Sequence, residues 1–210
     1  MFTLKKYLKS FLYKTSQYSQ AGQDIFAEEL FGENGVYIDV GSGEPAKFSN
    51  TYMLEVKKKW KGFGVDIGSF NPAKAQKLKN LWTKYPERKN KIYWEDAVTF
   101  NYKKALSENN LSLNIDYLSC DIDPQEKTFY ALKKIISDDV RPNLITFETD
   151  LYREKKDYSL LAYNFLKPYG YKYAITNVYS NLKKKKIFET WFVKNSIKFE
   201  TIEYKDWVKK

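Results

Sequence analysis

Val36-Tyr37-Ile38-Asp39-Val40-Gly41-Ser42-Gly43 is the stretch that decides the fold. Its first five residues are mostly β-branched or aromatic, as in a short buried strand, and two glycines one residue apart then break the run. Beyond them Ser49-Asn50-Thr51 places helix-starting side chains ahead of Met53, Leu54 and Val56, which share one helical stripe. Strand, glycine turn and helix in that order make the opening unit of a parallel α/β sheet, with the turn at the carboxyl end of the strand.

Working outward, the alternation continues. Residues 62–67, 91–94, 115–120 and 144–147 read as further strands, and residues 72–85, 102–108, 125–137 and 160–166 as the helices between them. Residues 171–176 and 187–193 look like two strands joined by a polar loop that carries Lys183-Lys184-Lys185-Lys186, as an antiparallel edge would be. The expectation is an α/β protein with a single doubly wound, Rossmann-like domain and a seven-stranded, mostly parallel sheet bearing an antiparallel edge strand. Upstream, residues 20–31 form a helix-like run with Ile25, Phe26 and Leu30 on one stripe. Residues 1–14 interleave Phe2, Leu4, Leu8, Phe11 and Leu12 with lysines. That is too charged for a signal peptide or a spanning helix, and suits an amphipathic helix lying on its own domain or on a membrane surface. Residues 1–34 are thus expected as an N-terminal helical segment packed on a domain formed by residues 35–210.

Composition removes several chemistries. The chain of 210 residues has no histidine, which excludes Ser-His-Asp and Cys-His catalysis and leaves carboxylate, lysine, tyrosine or a metal-bound hydroxide as base. Cys120 is the only cysteine, so no internal disulfide or cysteine cluster can form, and a reducing, cytoplasmic setting follows as the expectation. The net charge of +10 favours an acidic partner, or reflects an AT-rich coding bias. Arginine occurs only at Arg88, Arg141 and Arg153, which argues against nucleic acid, whose bases and phosphates are read preferentially by arginine.

The glycine turn also fits a dinucleotide fingerprint, as Gly41-x-Gly43-x-x-Ala46 with Asp66 ending the next strand. Asp39 and Glu44 bracket the glycines, however, and Pro45 removes a backbone donor, an environment that repels a pyrophosphate. S-adenosylmethionine carries a sulfonium and an ammonium and no phosphate, so the same carboxylates attract it. Asp66 is placed to accept from ribose hydroxyls, Asp96 of Glu95-Asp96-Ala97 from the adenine amino group, and Asp121 to face the methionine end.

The chain resembles the FkbM-type methyltransferases, many of which methylate sugar hydroxyls. The resemblance spans most of the chain and rests on Tyr18-Ser19-Gln20-x-Gly22-Gln23-Asp24, on the glycine-turn stretch, on Phe48-Ser49-Asn50-Thr51 and Trp60-Lys61-Gly62, and on Ile115-Asp116-Tyr117-Leu118-Ser119-Cys120-Asp121. It implies a class I methyltransferase domain in which Asp39, Gly41, Gly43, Asn50, Asp66, Asp96 and Ala97 line the S-adenosylmethionine site, with Gln20 and Gln23 on the leading helix helping to close it. The chain departs from the family where Asp121-Ile122-Asp123-Pro124 replaces a common Asp-Val-Glu-Gly, and where Asp66 stands for a frequent glutamate.

Transfer to a hydroxyl needs its proton removed, and two solutions are open: Asp121 and Glu148 as catalytic carboxylates, or Mg²⁺ or Mn²⁺ held by Asp121, Asp123 and Glu148. Tyr152 and Trp191 are candidate acceptor-facing aromatics, and Lys155, Lys156 and the lysine run are candidate anion contacts. A carbohydrate acceptor, either a glycan or a nucleotide sugar, is the expected partner. The rivals are an RNA or cap 2′-O-methyltransferase using Asp121, Lys155 and Glu200, and a cofactor-binding protein without catalysis.

Overall fold

The computed structural model describes residues 16–153, 156–179 and 186–209; residues 1–14, Lys155 and Lys183 to Lys185 therefore lie outside the described residues. Helix α1 (Gln23–Phe31) leads into β1 (Val36–Val40), α2 (Tyr52–Lys58), β2 (Lys61–Val65), α3 (Pro72–Trp82), β3 (Lys91–Tyr93), α4 (Tyr102–Glu108) and β4 (Asn114–Cys120). There follow α5 (Gln125–Ser137), β5 (Arg141–Glu148), α6 (Tyr158–Leu166), β6 (Tyr171–Tyr179), β7 (Ile187–Lys194), β8 (Ile202–Glu203) and α7 (Tyr204–Trp207).

The eight strands form one sheet in the order β3-β2-β1-β4-β5-β7-β6-β8, one strand more than expected because residues 202–203 pair with β6. The first five strands are parallel, as their helical crossovers require. The antiparallel strand is not at the edge. β7 lies between β5 and β6 and pairs antiparallel with both. Six consecutive residues of β7, Phe188 to Val193, are buried, a pattern that demands cover on both faces and neighbours on both sides.

Side chains alternate across the strands into two cores. Ile38, Val40, Phe63, Val65, Leu118 and Phe147 meet α4, α5 and α6 on one face, where α5 contributes Thr128, Ala131, Leu132, Ile135 and Ile136 at helical spacing. Tyr37, Tyr117, Leu144, Trp191 and Val193 form the other core with Phe26 of α1, Leu54 of α2 and Trp207 of α7. Trp191, expected to face an acceptor, is fully buried: it stacks on Phe26 at 5.1 Å and meets Trp207 edge-on at 5.3 Å. Its inward position in β7 leaves it no route to the surface. Helix α3 is capped by Asn71, whose side chain accepts from the Ala73 and Lys74 amides, and it buries no residue. Among the described residues no helix is long and apolar enough to cross a membrane.

Candidate cofactor and acceptor site

The sheet order reverses between β1 and β4, and a cleft of about 400 Å³ opens at that point, beyond the strand ends. Its lining includes Gly41, Asp66, Phe70, Asp96, Ala97 and Asp121, drawn from the ends of four successive strands. Gly41 has φ +80°, and a Cβ there would stand 1.7 Å from the Asp121 carbonyl oxygen. The turn is this tight because the Gly41 amide donates to the Val65 carbonyl at 2.9 Å while the Asp121 amide donates to the Val40 carbonyl at 3.0 Å.

Asp66 accepts from the Gly43 amide at 2.8 Å and from the Gly68 amide at 2.5 Å, so its carboxylate braces both walls of the cleft. Asp96 accepts from the Val98 amide at 2.9 Å and faces the Lys127 ammonium at 3.6 Å. Ala97 is buried, and its carbonyl accepts from the Tyr102 hydroxyl at 2.8 Å. Asp39 and Asn50 stand behind the turn: Thr51 donates to Asp39 at 2.7 Å, and the Asn50 amide donates to Ser119 at 3.0 Å. Burial pushes Asp39 above the usual carboxylate range, while the Thr51 hydrogen bond and the Arg88 charge pull it back. Gln20 precedes α1 and is exposed, which corrects its expected place on the helix. Gln23 is buried; its side-chain oxygen accepts from the Ala21 amide and its amide donates to Glu189 at 2.8 Å, tying α1 to β7.

The other end of the site is a nest of acids. Half-buried Asp121 is hydrogen-bonded to Glu148. Burial raises both, and Glu148, beside Asp121, Asp150 and Glu189, is pushed far above the carboxylate range. Glu189 lies opposite Glu148 in the β5–β7 register, and burial with the Asp121 charge pushes it up to about 8. The Gln125 side-chain amide donates to Glu148 at 3.0 Å and to Asp150 at 3.1 Å, and its own oxygen has no hydrogen-bond partner. Arg153 bridges Asp123, at 2.6 Å, and Asp150.

Among the described residues the acids whose oxygens converge within 4.8 Å are Asp123, Glu148 and Asp150. Asp150 thus takes the place that the sequence suggested for Asp121 in a metal trio, because the backbone after β5 is turned inward by the Thr149 and Asp150 amides donating to the Phe188 carbonyl. Tyr152 is exposed beside this group, with the Lys186 ammonium 4.8 Å from its ring.

Sequence reasoning missed Arg88, Gln125, Asp150, Arg153 and Glu189. Two signals were present: an arginine in a chain that otherwise uses lysine marks a site needing a planar, several-armed donor, and Glu189 interrupts an apolar strand.

No family model and no curated protein matches the chain by sequence. Solved structures do. The chain is similar to a putative rRNA methylase from Clostridium thermocellum, at 14% identity and a TM-score of 0.57, covering 87% of this chain and 98% of that one. The fold is that of the class I methyltransferases. The small RNA methyltransferase HEN1 gives 12% identity and a TM-score of 0.53 over 86% of this chain, which spans only 25% of HEN1. A Burkholderia thailandensis 1,6-didemethyltoxoflavin-N1-methyltransferase, with S-adenosylhomocysteine and its acceptor bound, gives 12% and 0.53 over 84% of this chain and 78% of that one. At these identities the likeness is one of fold.

Proposed function

We propose that the chain is an S-adenosylmethionine-dependent O-methyltransferase of the FkbM type whose acceptor is a sugar hydroxyl of a glycan or nucleotide sugar. The methyl-donor part is carried by the cleft at the sheet reversal, where Asp66, Asp96 and Asp121 end successive strands around a turn that only glycine fits, and the sugar acceptor is proposed from the sequence resemblance. That set of acceptors suits a ligand with ribose hydroxyls, an exocyclic amine and a cationic methionine end, and is unsuited to a pyrophosphate. When bound, S-adenosylmethionine supplies an electrophilic methyl group on a sulfonium. In this reading Asp66 accepts from the ribose, Asp96 and Ala97 border the adenine, and Asp39, Gly41, Gly43, Asn50 and Asp121 form the methionine end.

Asp121 is the group in the cleft that can take the acceptor's proton as its oxygen bonds to the methyl carbon. Glu148 supports it: burial beside Asp121 favours its protonated form, so the two share a proton and two buried charges do not face each other. Asp123, Glu148 and Asp150 are an oxygen-only set that fits Mg²⁺ or Mn²⁺, and an ion there would lower the hydroxyl's pKa instead. In the structure Arg153 supplies the positive charge at this place.

Two measurements test the reading. Calorimetry should show S-adenosylhomocysteine binding by the wild type and its loss in Asp66→Ala. With labelled S-adenosylmethionine, label should appear in glycan or nucleotide-sugar fractions. Label in RNA alone would replace the sugar with a ribose 2′-hydroxyl, and binding without turnover on any acceptor would leave a cofactor-binding protein.

A further inference from the structure

The segment between β1 and α2, residues 41–51, has no secondary structure of its own, yet it carries the cofactor turn. A loop of that length needs something to hold it. Asp66 and Trp82 hold it at Gly43 and Ser119 holds it at Asn50, and a buried arginine joins its later residues together. Arg88 arrives from the connection between α3 and β3, and its side chain is only 2% exposed. One guanidinium nitrogen donates to the Pro45 carbonyl at 3.0 Å and to Ser49 at 3.2 Å; the other terminal nitrogen donates to Thr51 at 3.1 Å. Its Nε faces Glu55 of α2 at 2.8 Å.

The ring of Trp82 lies 4.8 Å from the guanidinium carbon, and the same tryptophan donates its indole N–H to the Gly43 carbonyl at 3.0 Å. Glu55 in turn accepts from the Tyr37 hydroxyl at 2.8 Å and from the Asn90 amide at 2.8 Å, so it cannot swing away. Thr51 passes the arrangement on: accepting from Arg88, it is left with its own proton to give, and gives it to Asp39 at 2.7 Å. A hydroxyl has one proton, so the direction of this relay is fixed by the arginine, which can only donate.

We infer that Arg88 is the positioning residue of the methyl-donor site: through Ser49 and Thr51 it shapes the loop and fixes Asp39 directly behind the glycine turn, at the methionine end of the cleft. The inference rests on the methyl-donor reading above. Lysine could not do the same, since it lacks the fork that reaches two loop positions and Glu55 together. Thr51 is the sensitive link, because removing its hydroxyl breaks the relay to Asp39 while leaving the Arg88–Glu55 pair in place.

The test compares two ligands by calorimetry: S-adenosylhomocysteine, and 5′-methylthioadenosine, which lacks the amino-acid end. The variants are Thr51→Val, Thr51→Ser and Arg88→Lys, with melting temperatures measured alongside. Thr51→Val should weaken S-adenosylhomocysteine at least about tenfold, as expected for a lost hydrogen bond to a buried charge, with 5′-methylthioadenosine unchanged. Thr51→Ser, which keeps the hydroxyl, should restore wild-type binding, and Arg88→Lys should show the Thr51→Val pattern. Equal weakening of both ligands, or none, in a folded Thr51→Val protein would overturn the inference. A wild type that binds neither ligand would instead remove the methyl-donor reading on which it stands.

Discussion

Gly41→Ala should collapse the cofactor cleft while leaving most of the fold standing. The methyl of alanine would sit 1.7 Å from the Asp121 carbonyl oxygen, and the φ of +80° would be retained only under strain. The left-handed conformation costs a non-glycine residue about 1–2 kcal/mol. Relieving the clash requires the end of β1 at Gly41 to shift by about 1.5 Å out of line with both neighbours, enough to break the Asp121-to-Val40 hydrogen bond on its β4 side and the Gly41-to-Val65 hydrogen bond on its β2 side. Each contributes about 1 kcal/mol net. The sum is about 3–4 kcal/mol, equivalent to a fall in melting temperature of about 10 °C for a domain of this size. Thermal melting followed by circular dichroism reads the loss, and calorimetry with S-adenosylhomocysteine reads the cleft. A melting temperature within 2 °C of wild type, together with unchanged binding, would refute the claim that the turn admits only glycine.

Other outcomes follow from the acid nest. Asp121→Asn should lower the rate of methyl transfer about a hundredfold or more in single-turnover assays, and a rate near wild type would remove Asp121 as the proton acceptor. Glu189, raised by burial and by the Asp121 charge to about 8, binds its proton more tightly in the folded than in the unfolded chain. Its contribution to stability is therefore full below about pH 4.5 and is lost as pH rises towards 8. Glu189→Gln should make stability fall less steeply over that window, by up to about 1.4 kcal/mol per pH unit in urea titrations, and an unchanged slope would contradict the assignment. Arg153→Met removes the cation that bridges Asp123 and Asp150, so Mn²⁺ should bind at least about tenfold tighter; equal affinity would show that the three carboxylates are not a cation site.

The sequence by itself determined what neighbours along the chain can determine. The period of the apolar residues gave alternating strands and helices, the glycines gave the position of the turn, and a strand ends where its apolar run ends, so Asp66 and Asp121 could be placed beside the turn at once. Tertiary structure alone decided which strands lie side by side and which polar groups meet. Residues 187–193 are apolar enough for a central strand, but nothing local says that β7 inserts beside β5, and that insertion buries Trp191 and sets Glu189 against Glu148. Arg88 and Asp39 are joined through Thr51 across a long span of sequence, and Asp150 enters the acid group because its loop is folded back by the Phe188 carbonyl. Periodicity reports which face a side chain takes within its own element; the partner across that face is set by strand order and register, which are properties of the assembled sheet.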